Sequence, residues 1–418
     1  MRSVIPAVLG LVFGLIASAA AAPSPVWVQV GPSGAEIRAV VDQGPCPKVA
    51  VDGVPLAMQP RGRPDQAFPV TVCSLAVPPG AREASLGDRR LPLWRGSPKR
   101  ILIFGDTGCR LKGRVIQDCN DPRLWPFATI ARKAAAFHPD LVIHVGDYYY
   151  RESPCPPGHS ECAGSPYGDT WATWRAEFFD PAAPLLAVAP FVLVRGNHET
   201  CARGGHGWFL LLDAAPEPLA CPAASAPFAV NLGGLDLYVL DSADTDDVNA
   251  PPDAVAAFSA QLDALAPQLA RRPGWIVTHR PVWGLTPVAH PGPLGPVETP
   301  LNATEQAAVR GHDLSAVSMV VSGHIHHFAS FDFGPSRPPQ LIAGTGGDIG
   351  DAGDTPQVRE ETPTLDGLTA HGISFDRFGY LLMDRAGADW VGAFRDIDDR
   401  IVATCRLHGR ALDCHAAR

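Results

Sequence analysis

The stretch Ser322-Gly323-His324-Ile325-His326-His327 sets two imidazoles two residues apart at the end of an apolar run, Leu314 to Val321, that reads as a buried strand. In extended chain this spacing sends both rings to one side, and Gly323 permits a sharp turn beside them. Two rings aimed at one point are a metal-ligand arrangement. On its own a His-x-His pair is more often a pair of loop histidines, so the other donors must come from elsewhere in the chain.

They are available at matching places. Ile101 to Phe104 runs into Gly105-Asp106-Thr107-Gly108, and Leu141 to Val145 runs into Gly146-Asp147. Phe191 to Val194 leads to Arg195-Gly196-Asn197-His198-Glu199, and Trp275 to Thr278 leads to His279. In α/β sheets the loops at the carboxyl ends of strands form the ligand crevice. Asp106, Asp147, Asn197, His279, His324 and His326 can therefore gather at one edge as two carboxylates, an amide oxygen and three imidazoles. A single Gly-Asp after a strand is usually a turn with a helix cap; a run of such placements, each in strand context, is hard to assign to turns alone. Carboxylate oxygens mixed with imidazoles suit Fe, Zn or Mn better than Ca or a thiolate site. Six donors exceed what one tetrahedral ion takes and suggest two ions sharing a bridging carboxylate, the geometry that clamps an in-line displacement.

The elements that would position these groups follow from periodicity. Strand-like runs alternate with helix candidates at Trp125 to Phe137 and Trp171 to Phe179, the pattern of an α/β fold. Phe228 to Leu232 and Leu235 to Leu240 read as a hairpin around Gly233-Gly234. Asp253 to Ala270 reads as a helix, with Val255, Phe258, Leu262, Leu265 and Leu269 on its apolar face. Asp241, at the end of the hairpin, could orient a ligand or cap the turn at Ser242. Before this region, residues 22–98 carry short strands between Gly/Pro turns and read as a small β domain, with Arg95-Gly96-Ser97-Pro98 as its linker. The catalytic unit is expected over 99–395 and a stapled tail over 396–418.

Composition narrows the function classes. The 418 residues are 46% hydrophobic and 18% charged, ample for a core, and 43 Pro with 41 Gly favour shaped loops over a helical bundle. The net charge is -9, and Lys occurs only at positions 48, 99, 112 and 133, so no nucleic-acid or anionic-membrane footprint is evident. Residues 1–21 have the parts of a signal peptide: Arg2, an apolar run from Val4 to Ala17, and small residues at Ala19 to Ala21. No later segment is long and apolar enough to span a bilayer. Ten cysteines without a Cys-x-x-Cys fit disulfides in an oxidising compartment, secreted or periplasmic. Their spacing in close pairs predicts Cys46–Cys73, Cys109–Cys119, Cys155–Cys162, Cys201–Cys221 and Cys405–Cys414.

Taken together, Gly105-Asp106-Thr107-Gly108, Gly146-Asp147 with Tyr150, Gly196-Asn197-His198-Glu199, Thr278-His279 and Gly323-His324-Ile325-His326 resemble the calcineurin-like metallophosphoesterase superfamily. The order and spacing match over roughly residues 100–330. The chain looks most like the purple acid phosphatases, which carry Asp-x-Gly in the first motif and a Tyr three residues after the second Asp; here these are Asp106-Thr107-Gly108 and Tyr150. The resemblance implies a four-layer αββα sandwich. It implies an Fe(III) site from Asp106, Asp147, Tyr150 and His326, and a divalent site (Fe, Zn or Mn) from Asp147, Asn197, His279 and His324. Asp147 would bridge, a hydroxide held by the metals would attack phosphorus in line, and His198 would steady developing charge or protonate the leaving oxygen. The family's further substrate-facing histidines point to His290, with His327 as a second candidate. Ile276 stands where the family usually has Val. The implied activity is hydrolysis of small phosphate monoesters. Phosphodiester or nucleotide hydrolysis on the same metals is the alternative, and a metal-holding binding protein without turnover is a third class.

Overall fold

The structure, a computed structural model, describes residues 25–217, 220–288, 297–350 and 355–417, with side chains at 287–288 and 297–300 left aside. The leader read over 1–21 and the candidate His290 lie outside the described residues.

Two sheets face each other. In the larger, Arg100–Phe104, Leu141–His144 and Phe191–Leu193 are parallel neighbours. Register pairs Phe104 with His144 and His144 with Leu193. The three strands therefore end level, and the loops carrying Asp106, Asp147 and Asn197 leave from one edge. In the smaller sheet Asp236–Val239, Gly274–Val277, Val317–Ser322 and Gln340–Ala343 run parallel, with Val277 opposite both Val239 and Val321. His279 and His324 leave that sheet together in turn.

Alternation along the strands builds the layers. Ile101, Ile103, Leu141, Ile143 and Val192 point to the space between the sheets, where they meet Leu237, Val239, Trp275, Val277, Met319 and Val321. Leu102, Phe104, Val142 and Phe191 point the other way, onto the helix Phe127–Ala135 through Phe127, Ile130 and Ala134. On the far side Ile276, Val320 and Ile342 pack on the helix Pro252–Leu269 through Phe258, Leu262 and Leu265. Helix, sheet, sheet, helix is the four-layer αββα order that the family resemblance implies.

The first and last units are tied to this frame. Val26–Gly31 pairs in parallel with Phe191–Leu193, so Gly34–Val41, Thr71–Ala76 and Gln59–Arg61 extend the large sheet. Lys48–Val51, Val54–Ala57, Ala84–Leu86 and Arg89–Arg90 form a four-stranded sheet whose Val49, Val51 and Met58 pack with Val26, Val28 and Ile37 of the large sheet. At the other end Ile401–His408 and Ala411–Ala416 are an antiparallel hairpin at the edge of the large sheet, with Cys405 directly opposite Cys414. All five cysteine pairs form as the spacing predicts.

Candidate metal centre

The loops are laced to one another across the two sheets. Asp106 N–H donates to Gly146 O at 2.9 Å, Thr107 N–H to Asp147 O at 2.9 Å, Gly105 N–H to Ala343 O at 3.0 Å and Gly323 N–H to His279 O at 2.9 Å. Asp106, Asp147 and His324 adopt positive φ of 58°, 57° and 71°. Such backbone costs about 1–3 kcal/mol per residue and persists only where the surroundings hold it. The glycines explain the approach: a Cβ on Gly196 would fall 2.0 Å from Asp147 Oδ1, one on Gly323 2.3 Å from Asp106 Oδ2, and one on Gly146 2.4 Å from His279 Nδ1.

Two donor groups result. Asp106, Asp147 and His326 bring one donor atom each within 4.8 Å of one another, and Asp147, His279 and His324 do the same. Tyr150 joins the first group: its hydroxyl donates to Asp147 Oδ2 at 2.8 Å and lies 3.0 Å from His326 Nε2. Asn197 joins the second, with Oδ1 3.0 Å from His279 Nε2 and 2.9 Å from His324 Nδ1. Asp147 is common to both, since its Oδ2 also lies 3.2 Å from His279 Nε2. Apart from Asn197 and His324, which are half-buried, these residues are buried. A pair of oxygen- and nitrogen-rich pockets sharing one carboxylate fits two cations of the borderline class.

The donor side chains are held from behind. His279 Nδ1 lies 2.8 Å from Val145 O and His326 Nδ1 2.8 Å from Ile349 O, so both rings turn Nε2 to the centre. Glu199 takes four backbone N–H groups. Oε1 accepts from Tyr148 and Tyr149 at 2.8 and 3.0 Å, and Oε2 from Asp147 and Gly196 at 3.1 and 2.9 Å. Glu177 does the same for Cys109 and Tyr150, at 2.9 and 3.0 Å. Two fully buried carboxylates thus fix the loop that carries Asp147 and Tyr150.

Electrostatics match this donor set. Burial opposes ionisation of Asp147, yet the His279 and His198 rings hold its carboxyl well below the usual range. Burial likewise disfavours a charged His279, but the Asp147 and Asp106 carboxylates raise it to about 9. Burial, then Asp147 and Asp106, push the Tyr150 phenol well above 10. The shifts of His279 and Tyr150 both report the negative charge of Asp147 and Asp106, which a bound cation would offset.

His198 stands at the rim of the two groups, its ring centroid 3.7 Å from that of Tyr150. Its Nδ1 lies 3.0 Å from Glu152 Oε1 and 2.6 Å from Arg203 Nη2, and its backbone N–H donates to Asp147 Oδ1 at 2.9 Å. Burial pushes the imidazole down to about 3. The Arg110 guanidinium lies 5.2 Å from the centroid of the Tyr150 ring, with Nε donating to Asp348 Oδ2 at 2.9 Å. His327 is buried beside the last ligand. Asp241 serves the loop instead of a ligand: Oδ1 accepts from Ala243 N–H at 2.8 Å and Oδ2 from Ser225 N–H at 2.6 Å.

Sequence reasoning gave no role to Glu152, Glu177, Glu199, Arg110, Arg203, Asp247, Arg280 or Asp348. Glu199 closes the Gly196–Glu199 motif and Arg280 follows His279, so both could have been flagged. The Arg110–Asp348 pair spans 238 positions and leaves no local signal.

The comparisons bear on the family and the fold. The model of the family described as calcineurin-like phosphoesterase matches residues 99–328, more than half of the chain. The chain belongs to that family, and is a metal-dependent phosphoesterase. Its fold is similar to purple acid phosphatase PPD1 from seeds of yellow lupin (Lupinus luteus), at 11% identity and TM-score 0.58, covering 94% of this chain and 74% of that one. It is also similar to PhoD, at 12% identity and TM-score 0.55, covering 94% and 92%. At these identities the likeness is one of fold. No curated protein sequence matches the chain.

Proposed function

We propose that this chain is an exported phosphomonoesterase working with two metal ions, Fe(III) held by Asp106, Asp147, Tyr150 and His326 and a divalent ion held by Asp147, Asn197, His279 and His324. The observation that carries the reading is the position of Asp147 Oδ2, 2.8 Å from the Tyr150 hydroxyl on one side and 3.2 Å from His279 Nε2 on the other. When bound, such a pair of ions supplies Lewis acidity to the phosphoryl group and a nucleophile from water at neutral pH.

The remaining work falls to the chain. Glu199 and Glu177 hold the Asp147–Tyr150 loop in its left-handed turn. His198, braced by Glu152 and Arg203, faces the shared carboxylate and steadies charge on the ester as the leaving oxygen departs. Arg110, over the Tyr150 ring, and Arg203, beside His198, supply guanidinium groups to an anionic ester. Val26–Gly31 of the first β unit pairs with the Phe191–Leu193 strand, whose following loop carries Asn197.

Export fits five disulfides. Among the described residues no helix is long and apolar enough to cross a membrane. The division into a leader over 1–21, a β unit over 22–98, a catalytic unit over 99–395 and a stapled tail over 396–418 belongs to the same reading. The substrate is a small phosphorylated molecule.

Parallel assays on p-nitrophenyl phosphate and bis-p-nitrophenyl phosphate test the substrate class. Turnover of the monoester above the diester supports the proposal; a preference for the diester makes the enzyme a phosphodiesterase. Turnover of neither by protein with both ions bound contradicts catalysis.

A further inference from the structure

The three ligand histidines are not supported alike. His279 and His326 each set Nδ1 2.8 Å from a backbone carbonyl, of Val145 and Ile349. His324 is reversed: Nδ1 lies 2.9 Å from Asn197 Oδ1, within the donor group, while Nε2 lies 3.0 Å from the carboxylate of Asp247. A neutral imidazole has one N–H and one lone pair, so the acceptor at one nitrogen decides which nitrogen can bind a cation.

We propose that Asp247 is a positioning residue of the divalent site, taking the Nε2–H of His324 and so presenting Nδ1 to the ion. The proposal rests on the two-ion reading above. A carboxylate behind a ligating imidazole fixes its tautomer and makes it a more basic donor, which a neutral carbonyl does less. His326 Nδ1 also has a carboxylate, Asp348 Oδ2, at 3.5 Å, but the Ile349 carbonyl at 2.8 Å is its nearer acceptor. At His324 the carboxylate of Asp247 is itself the near acceptor, and His324 belongs to the group containing Asn197.

Asp247 is itself fixed. Arg280, next in sequence to His279, pairs with Asp247 Oδ1, and its Nε donates to Ser242 O at 3.2 Å. The guanidinium also lies 3.0 Å from His324 Nε2. Arg has no acceptor, so of the two groups beside Nε2 only Asp247 can take an N–H from the ring. On the backbone, Asp247 O accepts from Asn302 N–H at 2.7 Å and Ala303 N–H at 3.1 Å, anchoring the loop to the start of the Ala303–Val309 helix. The Asp247 side chain is 31% exposed and that of Arg280 9%, so the pair closes the rim behind the ligand.

Equilibrium dialysis of metal-free protein against Zn2+ with elemental analysis tests this without reference to turnover. The parent should bind in two steps, of which H279A removes one and so identifies it. In D247A that same step should weaken by about tenfold or more, with the other unchanged. D247N, which keeps the oxygen but not the charge, should fall between, and its thermal unfolding without metal checks the fold. Parent-like affinity in both variants, or equal weakening of both steps, overturns the proposal. A parent that binds one Zn2+ overturns the two-ion reading itself, and the proposal with it.

Discussion

The Tyr150 hydroxyl lies 2.8 Å from Oδ2 of Asp147, three residues before it in the same loop. The contact depends on Asp147 at φ 57°, which turns the chain back so that both side chains point inward. Without a cation, burial and the neighbouring carboxylates keep this phenol neutral. A strongly Lewis-acidic ion between them would hold it as phenolate. The prediction is a visible tyrosinate-to-iron band in the purified protein that vanishes in Y150F. A colourless, iron-free but active protein would move the reading to another branch of the family.

Glycine at 196 is required by space and not by conformation: its φ is -98°. A methyl group there would sit 2.0 Å from Asp147 Oδ1 and 2.3 Å from Asp147 N. Both atoms are held, so neither can yield cheaply. G196A should lose phosphatase activity and metal binding together, as read by assay and elemental analysis. An active G196A with two ions would mean that Asp147 does not occupy this position.

His198 touches the shared carboxylate through its backbone N–H but is not a donor in either group. H198A should therefore keep both ions while kcat falls roughly 10²–10⁴-fold, the range for a positioned group acting on the leaving oxygen. Loss of metal in H198A would instead make it a support for Asn197.

Glu305 is fully buried and accepts from Thr245 Oγ1, and burial raises its carboxyl to about 7. A folded-state value above the unfolded one means the native state binds the extra proton between about pH 4.5 and 7. The stability this contributes is complete below the unfolded value and is lost as pH rises through 7. The difference is on the order of 3 kcal/mol. E305Q should therefore gain in Tm relative to the parent as pH climbs from 4.5 to 8. A constant offset between the two proteins across that range would contradict the assignment.

Most of the candidate donors were legible because they stand where a periodic apolar run stops, as Asp106 does after Ile101 to Phe104 and His279 after Trp275 to Thr278. Strand order in a parallel sheet then brings such ends together. What lay hidden depends on contacts between distant segments. Pairing of Gln29 with Phe191 makes the first β unit an extension of the catalytic sheet, and no local pattern announces that partner. The last residues read as a stapled tail, yet Ile401–His408 buries Val402, Ala403, Cys405 and Leu407 as a sheet strand. That near-alternation was present in the sequence and was overshadowed by the cysteines. Asp247 and Asp348 come from loops that carry no ligand, so only the folded geometry reveals them behind His324 and beside His326.

The central claim is that two cations share Asp147. An anomalous difference map from crystals grown with Zn2+ tests it most directly. The account predicts two peaks roughly 3.5–4 Å apart, one beside Tyr150 and His326, the other beside Asn197, His279 and His324, with Asp147 Oδ2 between them. A single peak, or two peaks of which one makes no contact with Asp147, would contradict it.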